Sequence, residues 1–265
     1  MKKIFASAIA LFLLAAVGYS QEYNADETSK KAHYNTSKFK HLKEEFRSPD
    51  KQHTASAAPG HEYTQQKVDY DMKIVIDDEN QRLYGEETIT YHNNSKDVLE
   101  YLWVQLDQNM RAPDSKTPDI RNENVRTRFT PEQFSKSYLE EKFQGGFTIE
   151  HVTDKNDNPI DYFINQTMMR VNLEKPLQAG ESVEFNIKWW YNINNYRTQR
   201  GRSGWETLSD GNRAYAIAQF FPRLAVYNNV EGWQNLQFWG RSEFALEFGD
   251  YKVSITTPKD FILNG

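Results

Sequence analysis

From Val68 to Asp77 the chain alternates, with Val68, Tyr70, Met72, Ile74 and Ile76 on one phase and Asp69, Asp71, Lys73 and Asp77 on the other, broken only by Val75. A period of two sends successive side chains to opposite faces, so this stretch predicts a strand with one face in a core. DDENQ then reads as a turn, and LYGEETITYHNN as the returning strand, closed by an Asn-rich turn. VLEYLWVQLDQ, Val98 to Gln108, is apolar on both phases and predicts a central strand covered on both sides. FTIEHV and IDYFIN flank TDKNDNP, whose Asp, Asn and Pro predict a hairpin. MMRVNLE, KPLQAG and ESVEFNIKWWY repeat that device, with Val183, Phe185, Ile187 and Trp189 alternating against Ser182, Glu184, Asn186 and Lys188. Near the end, YKVSITTP places Tyr251, Val253 and Ile255 on one face.

Only Pro131 to about Gln144 (PEQFSKSYLEEKFQ) carries a helical pattern, and the charged stretch from Asn109 to Thr130, with Pro113 and Pro118, reads as a long loop between strands. Strands separated by turn signals, with a single short helical insertion, predict an all-β chain folded as an antiparallel β-sandwich.

The amino-terminal end has a different character. Lys2 and Lys3 precede an apolar run from Ile4 to Val17, followed by Gly18, Tyr19 and Ser20. This is the pattern of a signal peptide over residues 1–20, too short for the roughly 20 apolar residues of a spanning helix, so no integral span is expected after cleavage. Residues 21–60 are polar, with KFKHLKEEFRSPDK able to form at most a short helix and TASAAPG reading as a flexible linker. The sandwich domain is expected over residues 61–265. The chain has no cysteine, which removes disulfides, thiolate nucleophiles and Cys-type zinc sites, and with the leader predicts a periplasmic or secreted protein. A net charge of −5 without a basic arm or stripe argues against nucleic acid as a partner. Aromatic residues make up 14% of the sequence although the mean hydropathy is −0.81, so apolar surface is concentrated in large rings set among polar residues, as in alternating strands.

Candidate chemistry is sparse. The six histidines, His33, His41, His53, His61, His92 and His151, never share the one-turn spacing of a helix-borne metal pair. HEYTQ, starting at His61, mimics the opening of HExxH but ends in Gln65 and runs into a strand. There is no GxSxG and no phosphate-binding glycine loop, and the carboxylates sit mostly on solvent phases. The sequons at Asn35, Asn93 and Asn165 read as chance. Trp189 continues the apolar phase of its strand, whereas Trp190 lies on the polar phase and is the better exposed ring. The ring-rich stretch AQFFPRLAVYNNVEGWQNLQFWGRSEF, Ala218 to Phe244, fits neither period, and is either a plug or a surface.

In order, YDMKIVIDDENQRLYGEETITYHNNS, LEYLWVQLDQN, LEKPLQAGESVEFNIKWWY, AQFFPRLAVYNNVEGWQNLQF and GDYKVSITTP resemble the amino-terminal β-sandwich of the aminopeptidase N family, the gluzincin zinc metallopeptidases, in particular the exported Bacteroidetes-type branch. The resemblance covers about Glu45 to Gly265. It implies a substrate-lining domain whose zinc, bound by an HExxH helix and a distant Glu, and whose GxMEN-type loop lie outside this chain, so the chain alone would hydrolyse nothing. It also implies a peptide substrate shared with a catalytic domain beyond FILNG. One residue carries over: Gln219 in AQFFP matches the family Gln that hydrogen-bonds the free amine of the substrate. Here FFPRLAVYNN replaces the usual ARxxFPCFDEP run, and Gln219 equally fits a cap at the end of a strand carrying Tyr215 and Ile217. A free-standing exported module binding glycan or protein is the alternative. The rings from Tyr227 through Trp239 are expected to be exposed when the chain is alone.

Overall fold

The computed structural model describes residues 50–265 apart from positions 55, 57, 122–127, 200, 242 and 243. The signal peptide, most of the linker and its KFKHLKEEF segment lie outside the described residues. The chain divides into two units, Met1–Tyr63 and Thr64–Gly265. In the first, Asp50 Oδ1 accepts the backbone N–H groups of Gln52 and His53, both at 2.7 Å, and His53 bridges to Pro59.

The second unit is a β-sandwich. One sheet holds β1 (Lys67–Asp77), β2 (Arg82–His92), β4 (Thr148–Asp154), β7 (Ser182–Asn192) and β13 (Tyr251–Thr256) in the order β13-β1-β2-β7-β4. The other holds β3 (Leu99–Gln105), β5 (Tyr162–Asn165), β6 (Met168–Leu177) and β10 (Arg223–Leu224) in the order β10-β3-β6-β5. Every pairing is antiparallel except β13 with β1. Two hairpins, β8 (Gly204–Thr207) with β9 (Arg213–Ala216) and β11 (Tyr227–Asn228) with β12 (Gly232–Trp233), complete the strands.

Period-two alternation decides which face each strand buries. Val68, Tyr70, Met72, Ile74 and Ile76 of β1, Leu83, Ile89 and Tyr91 of β2, and Phe185, Ile187, Trp189 and Tyr191 of β7 meet Leu102, Val104, Met169 and Val171 of the other sheet in one core. Gly85 is required there: a Cβ on it would lie 2.2 Å from the Trp189 ring, which occupies the space opposite.

Several expectations are corrected. TDKNDNP does turn the chain, with Asp154 Oδ1 capping Asn156 and Asn158, but β4 and β5 then join different sheets. β6 and β7 part in the same way, because two-sided burial is served by crossing between layers rather than by pairing neighbours in sequence. β3 is internal to its sheet, and its two faces are covered unequally: Leu102 and Val104 are buried on one, while on the other Gln105 is buried and Tyr101 and Trp103 are half-buried. The predicted helix reduces to α2 (Pro131–Phe134), opened by a Thr130 and Gln133 capping box, followed by a wider turn over Ser135–Leu139. The preceding loop holds a one-turn helix, α1 (Thr117–Arg121), which the two prolines had hidden.

The rings expected to be exposed are mostly packed. Tyr227 and Trp233 meet at 5.1 Å, Trp233 lies 5.9 Å from the buried Tyr91, and Phe238 is buried. Apolar exposure falls instead on β13. Tyr251, Val253 and Ile255 are in register with Tyr70, Met72 and Ile74, so they share the core-facing side of the sheet, yet each is more than 40% exposed. β13 is an edge strand of the five-stranded sheet, and the facing sheet has four strands.

Candidate functional site

Gln219 sits where the chain leaves β9 and crosses to β10. The strand stops at Ala216, so Gln219 does not extend the phase of Tyr215 and Ile217 as the sequence suggested. It adopts φ +54°, the left-handed region that non-glycine residues rarely enter. The other described non-glycine residues with positive φ, Gln81, Asp157 and Gln166, lie in turns between strands or strand-like segments, where such a conformation reverses the chain. At Gln219 it is held from outside instead. Gln108 Nε2 donates to the carbonyls of both Ala218 and Gln219 at 3.0 Å, and Gln108 Oε1 is itself fixed by Arg111 Nη1 at 3.0 Å. Trp189 Nε1 donates to the next carbonyl, Phe220 O, at 3.3 Å. A left-handed non-glycine costs about 1 kcal/mol or more, and these three bonds to consecutive carbonyls offset it.

The residues after Gln219 make the site rigid. Phe220 and Phe221 pack against the core, and Phe221 meets Tyr70 edge-on at 5.4 Å and Tyr251 at 6.4 Å. Pro222 is buried, and a proline there disfavours helical backbone at Phe221. Arg223 then pairs with Gln105 in the sheet and brings Nη2 to 2.8 Å from Oδ2 of the buried Asp107. Burial pushes the Asp107 carboxyl up, and the Arg223 charge and hydrogen bond oppose that shift. Leu224 N donates to Tyr70 Oη at 2.9 Å and Ala225 N to Trp103 O at 2.8 Å, locking the segment across both sheets.

Among the described residues, the hydrogen bonds that restrain this segment therefore act on backbone carbonyls. Its side chain is half-buried, and among the described residues nothing hydrogen-bonds its amide. A primary amide offers one acceptor oxygen and two donor hydrogens, so this group is available to a ligand ammonium or to a ligand carbonyl.

Trp189 is buried in the core as expected, and Trp190, the better candidate of the two for exposure, is half-buried with the Arg82 guanidinium 4.6 Å from its ring centre. Asn93 has no room for a glycan: its amide nitrogen donates to the carbonyls of Asp97, Leu177 and Gln178, and the residue is fully buried. A cavity of about 430 Å³ opens beside β8 and β9, lined by Tyr196, Arg202, Glu206 and Tyr215 among small residues. Among the described residues no three His, Asp or Glu side chains converge as a metal requires, so the residues present do not fit a zinc site. No described helix is long and apolar enough to cross a membrane.

Sequence reasoning missed a second group of polar residues. Asp69, His92 and Ser182 lie far apart in the chain and come side by side on the outer face of β1, β2 and β7; only the strand register, which no local motif encodes, brings them together.

No family model matches the chain, and no curated protein matches it. Among solved structures it is similar to the M1 zinc metallopeptidase from Deinococcus radiodurans, at 12% identity and a TM-score of 0.37, covering 74% of this chain and 33% of that one. It is similar also to a point mutant of an M1 zinc metallopeptidase from the same organism bound to a Tyr-Ser-Ala substrate, at 12% identity and a TM-score of 0.37, with 73% and 33% covered. A two-domain M1 zinc metallopeptidase mutant bound to L-tryptophan gives 13% identity and a TM-score of 0.36, with 76% and 35% covered. The chain thus spans about a third of the length of these structures.

Proposed function

We propose that this chain is the amino-terminal, substrate-lining sandwich of an exported zinc aminopeptidase-type enzyme of the Bacteroidetes-type branch, with the zinc and the catalytic groups carried by sequence outside these 265 residues. The observation that carries the reading is Gln219, whose backbone is pinned in a left-handed conformation while its amide has no hydrogen-bond partner among the described residues. Its Oε1 accepts from the α-ammonium of a peptide. A hydrogen bond to a charged group contributes about 1.5–3 kcal/mol, and because the backbone is already fixed, little of that is spent on ordering the residue. The apolar strip on β13 suits burial against the catalytic domain. Residues 1–20 act as the export signal and residues 21–60 as a linker to the sandwich. Zinc, when bound to the catalytic domain, supplies Lewis-acid activation of water.

The test is activity of the protein that contains this chain together with its catalytic segment. Release of amino-terminal residues from peptides, abolished by a chelator and restored by zinc, supports the reading. Hydrolysis that ignores a free amino terminus, or none at all from the folded protein, overturns it.

A further inference from the structure

On the outer face of the five-stranded sheet, Asp69 of β1, His92 of β2 and Ser182 of β7 form a continuous hydrogen-bonded line. His92 Nε2 lies 2.9 Å from Asp69 Oδ2, and Ser182 Oγ lies 2.7 Å from His92 Nδ1. Register puts them there, since Ser182 is directly opposite His92, and His92 is directly opposite Lys67, two residues before Asp69.

The directions of these bonds follow from charge. Asp69 is partly desolvated, which raises its pKa, but the Asp250 N–H, Lys67 and His92 more than offset this and hold the carboxyl at about 2. It is therefore an anion at neutral pH and can only accept. In the neutral ring, Nε2 must then carry the hydrogen and donate to Asp69, which leaves Nδ1 with a lone pair. The Ser182 hydroxyl is the donor to Nδ1. This is the arrangement in which an imidazole serves as general base to a hydroxyl and a carboxylate fixes its tautomer. Lys67 Nζ, bonded to Asp69 and Asp250, adds positive charge to the cluster.

We propose that Ser182 is a nucleophile activated by His92, with Asp69 as its positioning residue, in an acyl-transfer site for small activated esters. Ser182 Oγ attacks the ester carbonyl carbon as its proton passes to His92 Nδ1. The C–O bond to the leaving group breaks, and that group departs with the proton from the imidazolium. Water then adds to the acyl-serine with His92 again as base, the serine ester bond breaks, and a carboxylic acid leaves. Ser182 is exposed, so its hydroxyl can be reached from solvent.

The experiment treats the full chain with a fluorophosphonate probe and follows the adduct by intact mass and peptide mapping. The expected result is one adduct per chain on Ser182, absent in Ser182→Ala, with the labelling rate about 100-fold lower in His92→Gln, within the range of general-base assistance. No adduct above the Ser182→Ala control, an adduct elsewhere, or equal rates in His92→Gln and wild type overturns the proposal. If His92→Gln fails to fold by circular dichroism, Asp69→Asn decides: a labelling rate well below wild type supports the proposal, and a rate equal to wild type overturns it.

Discussion

Glu87 occupies a core-facing position of β2, directly opposite Met72 on β1 and Ile187 on β7, and it is completely buried. Neither carboxyl oxygen has a hydrogen-bond partner among the described residues. Desolvation alone pushes its pKa well above 4.5. The folded state therefore keeps a proton that the unfolded chain has released, and this group costs stability as pH rises above 4.5 and costs nothing below it. Replacing it by an unbranched apolar side chain of similar length removes the unsatisfied group and adds packing. An orphaned buried polar group costs about 1–3 kcal/mol, so Glu87→Met is expected to gain roughly that much at pH 8 and less at pH 5. Urea unfolding of both proteins at the two pH values measures this through the midpoint, with the slope m unchanged. A Glu87→Met protein less stable than wild type at pH 8, or a gain identical at both pH values, would refute the reasoning.

Glu247 is buried where the chain returns towards β13, and burial lifts its pKa to about 7 against the opposing Tyr227 N–H, which it accepts at 3.0 Å. Its stability cost is absent below pH 4.5, grows from there to about 7 and is then full, so Glu247→Gln, which keeps the acceptor oxygen, should stabilise the fold at pH 8 and leave it unchanged at pH 4, as read by thermal melting. Gly85→Ala forces a methyl group into the Trp189 ring and should cost about 1–3 kcal/mol by urea unfolding, with a shift in the near-ultraviolet circular dichroism of that Trp. The exposed strip of Tyr251, Val253 and Ile255 should bind ANS, and Val253→Lys with Ile255→Lys should reduce that binding without lowering the melting temperature.

The strands were legible because alternation reports burial locally: β1, β2 and β7 follow their sequence phases almost residue by residue. Pairing was not legible, since whether β4 meets β5 or β7 depends on contacts distant in sequence. Glu87 is an exception to the carboxylates' solvent phases, since it lies in phase with Ile89 and Tyr91 on the buried side, and no local motif sets it apart. Gln219 was found through its neighbours in AQFFP, while the conformation that distinguishes it comes from Gln108 and Trp189, 111 and 31 residues away from the carbonyls they hold. Ser182, His92 and Asp69 stand 90 and 23 residues apart, so only the register reveals them.

The central claim is that the Gln219 amide binds the amino terminus of a peptide. The direct measurement is kcat/KM of Gln219→Ala in the enzyme that contains this chain and its catalytic segment, using an aminoacyl substrate. Loss of a hydrogen bond to an ammonium predicts a fall of about 10- to 100-fold with the melting temperature retained. Unchanged kcat and KM in the folded variant would contradict it.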